Sequence, residues 1–351
     1  MDIQMISEFV LLRVILGTLG IALFGIFFGL LYKGIDRKIA AHMQGRIGPP
    51  IRQPFRDVVK LFTKENIVPE NAIPWIFNLA PILGLAATIS ILLYLHLGGF
   101  SPILTQSGDI ILILYLLIIP SLAMVIGGFS SGSPYAIVGA QREMATMIAY
   151  EFPLAIVIIS LATRLIQSGS INVFALSTIV STPVWSVVGP LGFIGLLILL
   201  FVLVIVTPAE LSKIPFDSPE AETEIAGGLL AEYSGRNLAM FYLTDGVKTI
   251  AMASIIVALF FPYNLSGFIG LESYAAYSVD IIFYLVKVFL VVVFSVTLVR
   301  VAIARLKIDQ IVYTYWIPLT LIGLVGLICL MWDPTTTTSF GWPTMLKLLG
   351  L

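Results

Sequence analysis

The sequence predicts an all-α integral membrane protein of about eight transmembrane helices, with an amphipathic interfacial helix and an acidic cytoplasmic loop. Three observations predict it. Hydrophobic residues make up 59% of the 351 positions and charged residues only 11%, with a mean hydropathy of +1.04. Eight apolar stretches are each long enough to cross about 30 Å of hydrocarbon. Lys and Arg fall in alternate connections between those stretches. A soluble domain carries about 25% charged residues, so that class is excluded.

Taken in order, the apolar stretches lie near residues 12–32, 75–98, 109–128, 144–166, 187–207, 238–260, 280–303 and 311–331. The N-terminal run MDIQMISEFVLLRVILGTLG lacks a basic start and a small-residue cleavage site, so it is expected to be a retained first span. Residues 127–134, GGFSSGSP, have the composition of a turn between spans 3 and 4. The whole chain, 1–351, is expected to form a single membrane domain. Its cytoplasmic loops would cover about 33–74, 129–143, 208–237 and 304–310.

Orientation follows from the basic residues, because short cytoplasmic loops retain Lys and Arg. Lys33, Arg37, Lys38, Arg46, Arg52, Arg56, Lys60 and Lys64 follow span 1. Arg142 follows span 3, Lys213 and Arg236 follow span 5, and Arg300, Arg305 and Lys307 follow span 7. Segments 99–107, 167–186 and 261–279 hold none. Eight spans then put the charged loops in the cytoplasm and both termini outside, in a plasma-membrane, multi-pass protein.

Composition also limits chemistry. A net charge of −1 argues against nucleic acid, whose phosphates need a basic surface. One cysteine, Cys329, and two separated histidines, His42 and His96, do not make an iron–sulfur, zinc or nickel site, which need clustered thiolates or imidazoles. No metal ligand, cofactor or catalytic residue is expected in this chain.

The loop after span 5 concentrates acid: Glu210, Asp217, Glu220, Glu222, Glu224 and Glu232 fall within 208–236. Ser218 and Pro219 read as the cap and first position of a helix, on which Glu220 and Glu224 would share a face and repel. A solvated face is the bland alternative. The interleaved Pro, Gly and apolar residues favour a loop packed against something. In the first loop, residues 55–62 alternate apolar Val58, Val59, Leu61 and Phe62 with Arg56, Asp57 and Lys60 at helical spacing. This predicts a helix along the membrane interface, with a plain lipid anchor as the alternative.

Ionisable residues within apolar spans must face protein or water and pair. Glu143 and Glu151 lie in or at the start of span 4 beside Arg142; Asp245 and Lys248 lie one turn apart in span 6; Asp280 and Lys287 lie in span 7. Asp245–Lys248 reads equally as a static ion pair or as part of an ion path. Glu143 and Glu151 read as members of a proton path, since carboxylates at membrane depth are what a relay requires. A sodium path is the alternative.

Four segments together resemble one family: the membrane subunit of respiratory complex I called subunit 1 in mitochondria, with its relatives in energy-converting membrane-bound hydrogenases. They are DRKIAAHMQGRIGPP, YAIVGAQREMATMIAYE, PFDSPEAETEIAGGLLAEYSG and RVAIARLKIDQ, in that order and each at the same side of an eight-span chain. The resemblance implies eight membrane helices with a long, tilted first one, and cytoplasmic loops that dock a soluble redox arm. It implies that Glu210, Asp217, Glu220, Glu222 and Glu224 line the junction with that arm. Arg142, Glu143, Tyr150 and Glu151 would lie on the embedded path; Asp245 and Lys248 are counted in the proposed ion path on their depth in span 6. Asp36, Arg37, Lys38, Arg46, Arg300, Arg305 and Asp309 would serve docking or structure.

Departures narrow the branch. Asp36 stands where complex I has Glu, GPPIRQPFRDVVKL replaces the usual continuation of GPN, and PAELSKIPFD replaces AETNRxPFD. This form looks like the branch of membrane-bound nickel–iron hydrogenases and the archaeal membrane-bound sulfane-sulfur reductase, and it weighs against quinone binding. The resemblance implies a noncatalytic membrane subunit coupling electron transfer to proton or sodium translocation. Its partners would be cluster-bearing hydrophilic subunits, including a chain like a hydrogenase large subunit, antiporter-like membrane subunits and lipid. Ferredoxin would donate electrons, and iron–sulfur clusters and a NiFe centre would belong to partners. The alternatives are a quinone-chamber subunit of an NADH or F(420)H(2):quinone oxidoreductase, a stand-alone secondary transporter and a purely structural anchor. Neither inverted repeats nor broken helices are apparent to support the transporter.

Overall fold

The computed structural model describes residues 3–269 and 274–333. Both chain ends, on which the expected placement of the termini partly rests, lie outside these residues. Among the described residues the structure is helical and contains eight helices long and apolar enough to cross a membrane. They are span 1 (Val14–Met43), span 2 (Pro74–Tyr94), span 3 (Asp109–Ser130), span 4 (Pro134–Gln167), span 5 (Pro190–Glu210), span 6 (Gly235–Phe260), span 7 (Tyr274–Ala302) and span 8 (Ile308–Met331).

Two boundaries change the reading of the sequence. Span 1 continues as helix through Lys33, Arg37 and Lys38 to Met43, so those residues project from a helix. Span 4 starts at Pro134, ten residues earlier than its hydropathy suggests, with proline in its first turn. Ala136, Gly139, Ala140 and Glu143 on this added stretch are buried. Hydropathy missed it because Gln141, Arg142 and Glu143 dilute the apolar signal. Prolines inside spans 2, 3, 4, 5 and 8 are accommodated as in other membrane helices, where neighbours satisfy the freed carbonyls. Spans 7 and 8 each contain a π-helical turn, at Val293–Thr297 and Tyr315–Leu319.

Span 6 runs through the middle of the bundle and is almost wholly enclosed. Apolar lipid tails give no hydrophobic drive for helix association, so close packing through small residues supplies it. Spans 1 and 6 show this directly: a Cβ on Gly29 would come within 2.6 Å of the Gly246 carbonyl group. That crossing lies one turn from Lys33 and next to Asp245, and it brings those two charges together.

The interfacial helix forms over Gln53–Thr63 with a strongly amphipathic pattern. It is pinned to protein as well as facing outward. Val58 is buried against Leu30 and Leu243, and Arg37 reaches Asp57 at 3.5 Å, whereas Val59 and Phe62 are exposed.

The connections after spans 1, 3, 5 and 7 gather at one end of the bundle. There Ile67 donates its N–H to Ser234 Oγ at 3.0 Å, Ile73 donates to the Ser130 carbonyl and Leu306 donates to the Pro215 carbonyl. Connections after spans 2, 4 and 6 meet at the other end, where Trp185 Nε1 donates to the Phe260 carbonyl at 2.5 Å. At that same end Arg164 and Asp333, both fully buried, form an ion pair at 2.9 Å.

Candidate functional site

The connection between spans 5 and 6 folds back onto the charged end of the bundle. A single helix with Ser218 as its cap is not what forms. Ser218–Glu220 is one 3-10 turn, Ala221 is extended, and Glu222–Ile225 is a separate short α-helix. Glu220 and Glu224 therefore do not share a helix face. Glu220 is turned into a polar cavity, while exposed Glu224 accepts from Arg142 at 2.5 Å. The same guanidinium donates to the Ser218 carbonyl at 3.3 Å. Gly139 permits this approach: a Cβ there would lie 2.7 Å from Leu229 N and 2.9 Å from the Pro219 carbonyl oxygen. Arg305, from the connection between spans 7 and 8, holds Asp217 in a two-pronged bridge of 2.9 and 2.6 Å and donates to Thr223. Bidentate guanidinium–carboxylate pairs fix geometry as well as charge.

Beneath this loop lies a cavity of about 310 Å³. Its lining includes charged Lys33, Lys213, Asp245, Glu220, Glu210 and Lys248 and apolar Met124, Leu230, Leu238 and Phe241. Glu222 stands exposed at its rim. Asp245 is gripped by two ammonium groups, Lys213 at 2.6 and 2.7 Å and Lys33 at 2.6 Å. Lys33 Nζ also sits 3.2 Å from the centre of the Tyr242 ring, a cation–π contact, and Arg37 donates to the Tyr242 hydroxyl. The Asp245–Lys248 pair that sequence spacing suggests does not form. Adjacent turns of span 6 turn those two groups toward different partners.

Lys248 instead meets Glu210, with its ammonium 2.8 Å from Glu210 Oε1. It also donates to the Glu210 carbonyl oxygen at 2.6 Å and to Ser121 Oγ at 2.9 Å. Ser121 in turn lies 3.3 Å from the Tyr150 hydroxyl. Glu143 is buried beside this group; Ser212 donates to its Oε2 at 3.4 Å, and its Oε1 is buried without a donor. Glu151 is half-buried with one oxygen likewise without a donor, within the electrostatic reach of Glu210.

Outside the spans, burial pushes the Glu220 carboxyl above the usual carboxylate range. The Lys213 charge opposes that shift, and Asp245 adds to it. Burial would lower the Lys213 ammonium, but the adjacent Asp245 carboxylate outweighs it and the net shift is upward. The loop acid is thus biased toward holding a proton while the lysine beside it stays charged.

The remaining residues expected to matter fall around this core. Asp36 accepts from Thr297 at 2.6 Å and from Arg300 at 3.0 Å, tying span 1 to the π-turn of span 7. Lys38 is half-buried, Arg46 is exposed and bonded to Gln44, and Asp309 is exposed. Asp280 and Lys287 do not pair with each other. Asp280 accepts from the Ser266 backbone and hydroxyl, and Lys287 caps the end of span 6 by donating to the Phe261 and Tyr263 carbonyls. In the sequence, Lys33 and Lys213 stand out only as markers of orientation, and Ser121, Ser212, Tyr242, Arg164 and Asp333 not at all. A lysine one turn beyond Gly29 opposite an aspartate beside Gly246 is the signal that would have found the first pair.

The family model described as NADH dehydrogenase matches residues 16–331. The corresponding membrane subunit of the NADH-quinone oxidoreductase of Brevibacillus brevis is 31% identical over 331 residues, covering 92% of this chain and 90% of that protein. That of the F(420)H(2) dehydrogenase of Methanosarcina mazei is 30% identical over 331 residues, covering 88% and 91%. Among solved structures, a chain of the membrane-bound sulfane sulfur reductase, an archaeal respiratory membrane complex, superposes with a TM-score of 0.78. It is 31% identical, and the match covers 90% of this chain and 99% of that one. The protein belongs to the NADH dehydrogenase family and is a multi-pass membrane subunit of the complex I subunit 1 type.

Proposed function

We propose that this chain docks the redox arm of a complex I-like assembly and passes the electrostatic consequence of electron transfer to a moving ion. The observation that carries this reading is a connected run of acids. It starts in the loop at Asp217 and Glu220, passes the Lys213–Asp245–Lys33 cluster on the cavity wall, and reaches Glu210, Lys248 and Glu143 inside the bundle. A change of charge beside the loop alters the proton affinity of Glu220, and each neighbour along the run feels the next. Basic residues at this end make it cytoplasmic by the positive-inside rule, with both termini outside in the cell membrane. Asp36, Arg37, Lys38, Arg46, Arg142, Arg300, Arg305 and Asp309 then shape the surface that meets the arm.

Iron–sulfur clusters and a NiFe centre belong to hydrophilic partners in this reading, one of them a hydrogenase-large-subunit-like chain, with ferredoxin as electron donor. Antiporter-like membrane subunits accept the signal beyond Glu151. The terminal acceptor is set by those partners: the likeness to the sulfane sulfur reductase chain supports a sulfane-sulfur or hydrogenase type. The lining of the cavity favours a second reading, a quinone-chamber subunit. Its lining mixes apolar and charged residues, as an amphipathic head-group would require, and some relatives are named quinone oxidoreductase subunits. Quinone extracted from the purified complex in stoichiometric amount would decide for the second reading.

The coupling is tested by Glu143→Gln and Glu151→Gln in the intact complex reconstituted into liposomes. Each is expected to abolish ion pumping while partner redox turnover continues, because the redox centres belong to partner subunits in this reading. Full pumping in both variants would remove the path.

A further inference from the structure

Three groups converge where spans 3, 4, 5 and 6 meet: the Glu143 and Glu210 carboxyls and the Lys248 ammonium, each at most 3% exposed. The ammonium donates to the Glu210 carbonyl oxygen and to Ser121 Oγ, and it lies 2.8 Å from Glu210 Oε1 as an ion pair. Its nearest carboxylate is that of Glu210. Glu143 has no ion pair among the described residues; it receives a long 3.4 Å bond from Ser212, and its Oε1, like Glu210 Oε1, has no hydrogen-bond donor. Every charged or titratable group facing Glu143 is either negative, neutral or already engaged. Glu220 approaches from the loop, Tyr150 and Glu151 from span 4, and Glu210 from span 5; Lys213 is held by Asp245. One buried cation therefore serves two buried carboxylates, and a second uncompensated charge there would be strongly unfavourable.

We propose that Lys248 is the positioning residue of a two-seat proton relay in which Glu210 and Glu143 share one proton, the carboxylate that the ammonium leaves being the one that takes it. This rests on the coupling role above and names the ion and the control at that site. In the arrangement seen, Lys248 neutralises Glu210 and the proton resides on Glu143. In the alternative arrangement the ammonium, keeping its three protons, moves to Glu143. The O–H bond on Glu143 breaks, one forms on Glu210, and total charge is unchanged. The Ser121 and Tyr150 hydroxyls lie beside Glu210 and Lys248 and provide groups able to donate and accept along the way. The carried ion is then a proton. The ammonium already occupies the cluster of oxygens that a hard metal cation would need to bind simultaneously.

Infrared difference spectroscopy of the purified complex reads the carbonyl stretch of protonated carboxylic acids. The wild type is expected to show one such band that Glu143→Gln removes. Glu210→Gln is expected to remove it as well, because the freed ammonium then neutralises Glu143. Lys248→Met should roughly double the band, since both acids must then be protonated, and Lys248→Arg should restore a single band. A band that survives Glu143→Gln, or that persists unchanged in Glu210→Gln, overturns the shared-proton assignment. If Lys248→Met fails to assemble, the two glutamine variants decide alone. Unchanged pumping in Glu143→Gln with this band pattern observed counts against the coupling role and not against the relay, so the two failures are distinguishable.

Discussion

Replacing Arg164 by methionine is expected to destabilise the membrane domain by about 3–5 kcal/mol, the usual consequence of removing one partner from a fully buried ion pair. Arg164 near the end of span 4 and Asp333 just beyond span 8 are both completely buried. The Arg164 guanidinium also donates to the Val187 carbonyl. Asp333 accepts the Gly189 N–H at 2.6 Å, at the start of span 5. The pair thus clasps three spans at the end of the bundle opposite the polar cavity. A glycine completes it: a Cβ at Gly192 would stand 2.6 Å from Asp333 Oδ2. Methionine fills most of the arginine's volume, so the cost is dominated by the lost guanidinium–carboxylate pair. Asn at 333 removes that charge while keeping an acceptor for Gly189. The double variant Arg164→Met, Asp333→Asn should therefore recover most of the loss. Thermal unfolding of the purified complex in detergent, run as a double-mutant cycle, measures this. Additive effects of the two changes would show that the pair contributes nothing as a pair.

The second large effect is expected at Asp245. Its carboxylate lies within 2.7 Å of two ammonium groups, so Asp245→Ala leaves Lys33 and Lys213 facing each other with no anion between them. A loss of about 3 kcal/mol is expected, toward the lower end for a broken buried pair, because the carboxylate and Lys213 retain some solvent access. Removing one of the cations at the same time, as in Asp245→Ala with Lys33→Met, should restore most of the stability. Asp245→Asn should fall between. The readout is again the unfolding midpoint, and equal midpoints for Asp245→Ala and the wild type would mean that the cluster is solvated rather than structural. Because Lys213 borders Glu220 as well as Asp245, the single variant is also expected to reorganise the loop above the cavity. Faster hydrogen exchange across residues 211–221 would register that change.

How much of this was legible in the sequence depends on which physical signal carried it. Span number and the gathering of basic connections at one end follow from long-range hydropathy and charge, which average over many residues and survive local error. The interfacial helix at Gln53–Thr63 announced itself through periodicity. Pairing did not. A spacing of three residues in span 6 suggested Asp245–Lys248, yet side chains on neighbouring helices offered better geometry to both, Lys33 and Lys213 to one and Glu210 to the other. Sequence separation constrains contacts within a helix and is silent about which helix lies opposite. The loop helix expected at Ser218 failed for a related reason. Gly139 and the Gly227–Gly228 turn, with positive φ at both glycines of the turn, let the loop lie against span 4, where Arg142 and Arg305 hold its acids individually. Buried serine and tyrosine hydroxyls such as Ser121 and Tyr150 carry no periodic or charge signal, so their place beside Lys248 emerges only from the packed bundle.

Glu210, the last residue of span 5, is where the acids lining the cavity join those embedded in span 4. The decisive measurement is the number of charges moved per electron by the reconstituted complex carrying Glu210→Gln. Interruption at this junction should bring the ratio close to zero while electron transfer through the partner subunits continues. A wild-type ratio in that variant would be incompatible with the coupling proposed, since ions would then be moving without the junction through which their movement is said to be controlled.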